Sequence, residues 1–349
     1  MSTTFLAVFA IIFIILFRLL NVNSSPRKPR IFCCDTSFKE CIEKICNTEL
    51  AEYYIPTRLW GFSGHVQTIL QSLIGRVKCP WPLGERVYIS LHDGSTLTYD
   101  LYQPLNQNHD DDITVAVCPG VGNSSESVYI RTFVHYAQCH GYRIAVLNHI
   151  GVIDTIKVTS ARIFTYGYDA NIATQCLLKW QNFQRFYLYI LTENVKGIIM
   201  KHRNVLLSDD VKRRFGLNER EIAAAATLPE LDDAYTRKIH NFPSTNEMYK
   251  WSSCINYLPN IEKPVVFINS LDDPLVPEVL LHPIRNFVET HPKALYIECQ
   301  HGGHLGFYEG GLINPNPLTW LDRILVSLLG GLAFAHNDIA MKKSTKMTM

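Results

Sequence analysis

The sequence has almost no net charge and no low-complexity tract. Its 33 lysines and arginines nearly balance its 32 aspartates and glutamates, which leaves a formal net charge of +1. A nucleic-acid-binding surface needs clustered basic residues, and the only clusters here are two short ones, after the N-terminal apolar run and in the C-terminal tail. We therefore expect no nucleic-acid partner.

Long apolar runs are also scarce, and the clearest one lies at the N-terminus. It extends unbroken from Phe5 to Phe17, Arg18 interrupts it, and Leu19 and Leu20 extend it. A bilayer core asks for about 20 apolar residues, whereas a cleaved signal peptide has a basic start and a small-residue cleavage site, neither of which is evident. The pattern favours a retained membrane anchor over residues 1–22, rather than a cleaved signal or a buried core helix.

The orientation of such an anchor stays open on these residues alone. The basic residues Arg27, Lys28 and Arg30 follow the run directly, which favours a cytosolic body. The sequons at Asn23 and Asn123 favour a lumenal or extracellular body instead, in which Asn123 would be glycosylated. The ten cysteines fit no zinc-binding spacing and define no disulfide pairing.

The first regular pattern after the N-terminal segment is typical of an α/β sheet. Two strand-like runs flank Asp93-Gly94, a strong hairpin signal. Two further apolar runs flank a stretch of helical spacing, which predicts parallel strands joined by a crossover helix. The predicted strands are 87–91, 95–102, 113–118 and 143–147, and the predicted helix is 128–137.

Strand signals stop after residue 147 and resume at residue 265, and a helical insertion of about 90 residues lies between them, at 168–258. Residues 176–207 are aromatic-rich with helical periodicity, and strands are predicted again at 265–268 and 294–298. A helical insertion between early and late strands of a sheet is typical of a lid over a ligand site. We therefore predict an N-terminal segment at 23–85, an α/β domain at 86–335 with a helical lid at 168–258, and a basic tail at 336–349.

Candidate catalytic residues follow the two late strands. Asp273 comes shortly after the strand at 265–268, and His304 comes after the strand at 294–298 between glycine-rich residues. An acid followed by a histidine at consecutive strand ends is the order of a serine hydrolase relay, in which the carboxylate fixes the imidazole tautomer. The alternatives are that Asp272 and Asp273 cap a helix, or that His301 and His304 belong to a metal site.

A second candidate loop follows the strand at 113–118. Gly120 and Val121 lie where a backbone amide would form an oxyanion hole, directly before the helix at 128–137. An ordinary strand-to-helix turn explains the same residues equally well.

Several longer motifs resemble the abhydrolase domain-containing acylglycerol lipases of the α/β-hydrolase superfamily. The resemblance covers the chain from the apolar run onward, and the motifs that carry it are Trp60-Gly61, Ser63-Gly64-His65, Gln67-Thr68, Cys118-Pro119-Gly120, Tyr129-Ile130-Arg131-Thr132-Phe133, Phe164-Thr165-Tyr166-Gly167, Asp272-Asp273-Pro274-Leu275-Val276 and His301-Gly302-Gly303-His304-Leu305-Gly306-Phe307.

The resemblance implies an α/β-hydrolase fold that hydrolyses monoacylglycerol-like lipid esters with a Ser/Asp/His triad and no metal or cofactor. It assigns the acid to Asp273 and the base to His304. It also implies a single-pass type II membrane protein with a lumenal or extracellular body.

One required part of the family pattern is missing, because no G-x-S-x-G elbow follows the second crossover. Gly167 runs directly into Tyr168, where the central strands and helices should take on the order of 50 to 60 residues. The serines Ser63, Ser124 and Ser125 and the thiol of Cys118 lack the strand-turn-helix setting of a nucleophile. We expect impaired hydrolysis; the alternative is a non-catalytic lipid-binding or decoy form.

Overall fold

The computed structural model describes residues 3–73, 80–92, 94–106, 113–120, 122–156, 158 and 170–332. The strands in this part are β1 (Arg30–Phe32), β2 (Glu85–Ser90), β3 (Thr96–Tyr102), β4 (Thr114–Val117), β5 (Arg143–Asn148), β6 (Val265–Ser270) and β7 (Ala294–Cys299). The helices are α1 (Thr3–Leu20), α2 (Thr36–Ile45), α3 (Asn47–Ala51), α4 (Gly64–Leu73), α5 (Val128–Cys139), α6 (Ala170–Leu177), α7 (Gln184–Lys201), α8 (Arg203–Leu206), α9 (Asp209–Phe215), α10 (Glu219–Ala224), α11 (Leu228–Leu231), α12 (Arg237–Ile239), α13 (Thr245–Ser252) and α14 (His282–Thr290). Residues 320–332 form a further helix.

The chain divides into two compact units. The late-strand unit contains residues 1–78 and 259–349, and the early-strand unit contains residues 79–258. The predicted N-terminal segment thus lies largely with the late strands, and the predicted lid lies with the early strands. The domain bounds derived from the sequence stay predictions, and the basic tail at 336–349 lies outside the described residues.

The sheet of the late-strand unit has the order β1-β7-β6. The two flanking strands differ in direction, because β1 is antiparallel to β7 and β6 is parallel to it. All six residues of β7 are buried, as expected of a central strand. Its one carboxylate, Glu298, lies between Arg30 and Arg285 and hydrogen-bonds to both. The core under this sheet includes Ile42, Leu295, Ile297, Trp320 and Ile324.

The sheet of the early-strand unit has the order β2-β3-β5-β4. The hairpin predicted around Asp93-Gly94 joins β2 to β3, with Gly94 at a φ of +78°, while Asp93 itself lies outside the described residues. The parallel pairing of β4 with β5 is also as predicted, with α5 as the crossover between them. A hydrophobic core in this unit packs helices that follow β5 in the chain against one another. Its buried residues include Ile199, Leu206, Ile222, Leu231 and Ile239.

The predicted single-pass membrane anchor is wrong. In the described part of the chain, no helix is both long and apolar enough to cross a membrane. The apolar run does form a helix, but α1 has 18 residues, about 27 Å at about 1.5 Å per residue, against a bilayer core of about 30 Å. Arg18 lies in its last turn and leaves an uninterrupted apolar run only from Phe5 to Phe17.

Candidate active site

Asp273, just after the carboxyl end of β6, is held in place by the backbone amides of the residues that follow it. Its Oδ1 accepts hydrogen bonds from the amides of Leu275 at 2.7 Å and Val276 at 3.0 Å. Its Oδ2 lies 2.9 Å from Nδ1 of His304. One carboxylate oxygen therefore fixes the side chain, and the other is directed at the imidazole.

The loop after β7 carries His304 in a conformation that depends on glycine. Gly303 has a φ of +56°, and a Cβ there would come within 2.5 Å of the Gly64 carbonyl oxygen. The Gly303 amide donates to Asp272 Oδ1 at 2.8 Å, and the Ser270 hydroxyl donates to the Gly303 carbonyl at 2.8 Å. Hydrogen bonds to the N–H and to the carbonyl of Gly303 thus fix the backbone directly before His304.

The helix α4 completes this support. The Thr68 hydroxyl accepts from the His304 amide at 2.8 Å and donates to the Gly64 carbonyl at 2.7 Å. The neighbouring Gln67 amide group accepts from the backbone N–H of Tyr308 at 2.9 Å. The Gln67-Thr68 motif therefore positions the histidine loop, a role that the sequence did not reveal.

The Asp273 contact sets the chemistry of His304. Burial lowers the pKa of the imidazole, but the charge of Asp273 and its hydrogen bond outweigh burial, so that the pKa of His304 is raised. With Nδ1 donating to the carboxylate, the ring lone pair lies on Nε2, as a general base requires.

The two histidines of the His301-to-His304 motif contact different carboxylates. His304 faces Asp273, whereas Nδ1 of His301 lies 3.4 Å from Oδ2 of Asp272. Among the described residues, no group of three or more histidine, cysteine, aspartate or glutamate side chains could hold a metal ion. The alternative metal site at these histidines therefore has no third ligand in that part of the chain.

The candidate oxyanion loop lies in the early-strand unit. The Gly120 amide donates to the Tyr129 hydroxyl at 3.4 Å, and the Gly120 carbonyl accepts from the Asn123 amide at 3.0 Å. The Asn123 side chain accepts from Ser127, while Val121 lies outside the described residues. These bonds describe a turn before α5, and the oxyanion role of Gly120 and Val121 and the glycosylation of Asn123 stay predictions.

The serines near that loop are part of a buried polar network. Ser125 donates through its hydroxyl to Asp100 Oδ2 at 2.5 Å, and Asp100 forms a bidentate pair with Arg86, its cross-strand neighbour. Burial raises the pKa of Asp100, but the bonds from Arg86 and Ser125 outweigh it, so that the pKa is lowered. Ser125 contacts Asp100 and Asn148, and the Asp100 carboxylate that accepts its hydroxyl is paired with Arg86, so no histidine faces Ser125 in these contacts.

Comparison with known proteins gives strong matches over nearly the whole chain. "Abhydrolase domain-containing protein 2" of Drosophila melanogaster is 56% identical over 393 aligned positions, which cover 96% of this chain and 98% of the relative. The chain belongs to the abhydrolase domain-containing protein 2 family, of the α/β-hydrolase fold. Human "Monoacylglycerol lipase ABHD2" is 36% identical over 380 positions, which cover 92% of this chain and 89% of the relative.

Other comparisons add little to this family assignment. No family model matches the chain. Among solved structures, an acylaminoacyl peptidase of Pyrococcus horikoshii has 15% identity and a TM-score of 0.35, covering 75% of this chain and 42% of the other.

The family alignment bears on the absent elbow. It spans 393 positions whereas this chain has 349 residues, so at least 44 positions of the alignment have no residue of this chain. No G-x-S-x-G occurs anywhere in the 349 residues. The predicted break between Gly167 and Tyr168 lies outside the described residues.

Proposed function

We propose that this chain carries the acid and base of a serine ester hydrolase for monoacylglycerol-like lipid esters, and that turnover is impaired because the nucleophilic serine is missing. The Asp273–His304 pair carries the proposal, since its 2.9 Å contact and the raised pKa of His304 are those of a hydrolase relay. The name of the human relative supports the substrate class.

The decisive experiment restores the missing segment. The residues of the Drosophila relative that have no counterpart here are inserted between Gly167 and Tyr168, and release of fatty acid from a monoacylglycerol is measured for both chains. We expect turnover only in the restored chain, and its loss on substitution of the inserted elbow serine or on His304→Ala. If the present chain hydrolyses the monoacylglycerol and His304→Ala abolishes that activity, the proposed impairment is wrong.

A second candidate function is lipid binding without turnover. An exposed apolar surface in the predicted lid favours it: Trp180 is 78% and Phe183 65% exposed, and Phe186 and Tyr189 are also exposed. Exposed aromatic clusters of this kind commonly mark ligand or partner surfaces. Binding of a non-hydrolysable monoacylglycerol ether, followed by protein fluorescence and weakened by Phe183→Ser, would support it; equal binding by that variant would exclude this surface.

A further inference from the structure

Close in sequence to the Asp273–His304 pair is another histidine–aspartate pair, and its histidine also contacts a serine. The His301 Nε2 lies 2.9 Å from the Ser24 hydroxyl oxygen, and its Nδ1 lies 3.4 Å from Asp272 Oδ2. The two ring nitrogens thus face a hydroxyl and a carboxylate in the order of a Ser-His-Asp relay. Ser24, His301 and Asp272 all belong to the late-strand unit.

The imidazole of this relay is buried and fixed. His301 is 2% exposed, and its ring packs edge-on against Phe62 with centroids 5.3 Å apart. The His301 Nδ1 and Asp272 Oδ2 atoms are both buried without a hydrogen-bond partner, although they face each other. Buried polar atoms normally have partners, so this facing but unbonded pair is an exception that calls for a role.

Asp272 is positioned to orient this imidazole. Its Oδ1 accepts from the Gly303 amide at 2.8 Å, which leaves Oδ2 directed at His301. The charge of Asp272 also acts on a second imidazole, that of His65. Burial outweighs this charge and lowers the pKa of His65. Asp272 Oδ2 faces His301 as the carboxylate of a relay faces its base.

Ser24 is presented by a fixed turn after α1. Its amide donates to the Asn21 carbonyl at 3.0 Å, and the Asn21 side-chain amide donates to the Phe62 carbonyl at 3.0 Å. Asn21 has a φ of +50°, a left-handed conformation that this anchoring maintains. Ser24 is partly exposed, and Leu19 and Val22, which precede it closely in the sequence, are apolar with 36% and 39% of their surface exposed.

We propose that Ser24 is an activated nucleophile that accepts the acyl group of carboxylic esters with an apolar acyl chain, with His301 as its base and Asp272 as the positioning residue. The Ser24 oxygen bonds to the ester carbonyl carbon while its proton moves to His301 Nε2. The bond to the leaving alkoxide then breaks, and the alcohol departs with that proton, leaving acyl-Ser24. This reaction uses neither His304 nor the missing elbow, so it is independent of the proposed function.

The test is covalent labelling of the full chain with an alkyl fluorophosphonate, in which serine displaces fluoride from phosphorus. Peptide mass spectrometry identifies the labelled residue, and the labelling rate is compared among variants. We expect one label on Ser24, its loss in Ser24→Ala, and a rate at least about 100-fold lower in His301→Gln, the scale of a lost general base. Ser25→Ala, at the adjacent exposed serine, is the control that keeps the label.

The possible results distinguish a nucleophilic Ser24 from a Ser24 that only hydrogen-bonds to His301. No label, a label on another residue, or an unchanged rate in His301→Gln would overturn it. A melting temperature for each variant shows whether the chain is folded, and Ser24→Cys provides a folded variant if Ser24→Ala is not. With the Ser24→Cys variant, a p-nitrophenyl ester should form a thioester at position 24 that hydroxylamine cleaves; absence of the thioester would contradict the proposal.

Discussion

Each of the two units contains a buried aspartate that is paired with a cationic or basic side chain, and the pairs differ in chemistry. In the late-strand unit Asp273 contacts His304, and in the early-strand unit Asp100 contacts Arg86. An imidazole exchanges its proton near neutral pH, whereas a guanidinium stays charged. We therefore propose that the aspartate of one unit serves acid–base chemistry and that the aspartate of the other serves structural stabilisation.

The sheets of the two units share a second feature. Each ends in a strand that is parallel to its only neighbour: β4 pairs only with β5 among the described strands, and β6 only with β7. Parallel strands are usually buried inside a larger sheet, because helices cover both faces and further strands cover the edges. Two open parallel edges are consistent with the loss of central strands together with the elbow.

The largest effect should separate the two aspartates by activity. In the chain with the restored segment, we expect Asp273→Asn to lower kcat about 10⁴-fold, because the amide no longer fixes the productive tautomer of His304. Asp100→Asn should lower kcat of the folded protein less than about tenfold, since Arg86 transfers no proton. Steady-state hydrolysis of a monoacylglycerol measures both, and equal losses would contradict the assignment of roles.

Loss of the arginine should reveal the structural role of the Asp100 pair. Arg86→Met leaves the buried Asp100 carboxylate without its bidentate partner, and we expect the free energy of unfolding to fall by about 3 kcal/mol. The control is Arg213→Met, whose exposed pair with Asp210 should contribute less than about 1 kcal/mol. Urea unfolding of both variants measures the difference, and similar values would argue against a structural role for the Asp100 pair.

A smaller effect is expected in the support of His304. Thr68→Val removes the acceptor of the partly buried His304 amide, and we expect a loss of about 1 kcal/mol, the lower end for a donor left without a partner. Ser72→Ala on the same helix is the control, because the Ser72 hydroxyl bonds only to carbonyls within α4. Of these two variants, only Thr68→Val should also change the NMR resonances of the His304 ring.

The sequence predicts what is local in the chain and misses what is distant. The strand ends that carry Asp273 and His304 follow from short apolar runs and glycines, and the structure brings these two residues together. The hydroxyl of Thr68 acts on an amide 236 residues away, and such a contact leaves no local pattern. The membrane prediction was wrong because it extended the apolar run across Arg18.

The mildest test uses the pH dependence of stability. Because the folded-state pKa of His304 is raised, its stabilisation is fully present below the unfolded value of about 6.5 and is lost as pH rises through the folded pKa. Asp273→Asn removes the cause of the shift. The difference in unfolding free energy between the parent chain and this variant should therefore grow as pH falls from 8 toward 6.

Asp100→Asn is the matched control from the other unit. The pKa of Asp100 is lowered, so its stabilisation is present above about pH 3.9 and is lost only as pH falls through the folded pKa. Its difference from the parent chain should stay constant between pH 6 and 8. Urea unfolding across this range measures both variants, and a pH-independent effect of Asp273→Asn would show that Asp273 stabilises the loop without stabilising a protonated His304.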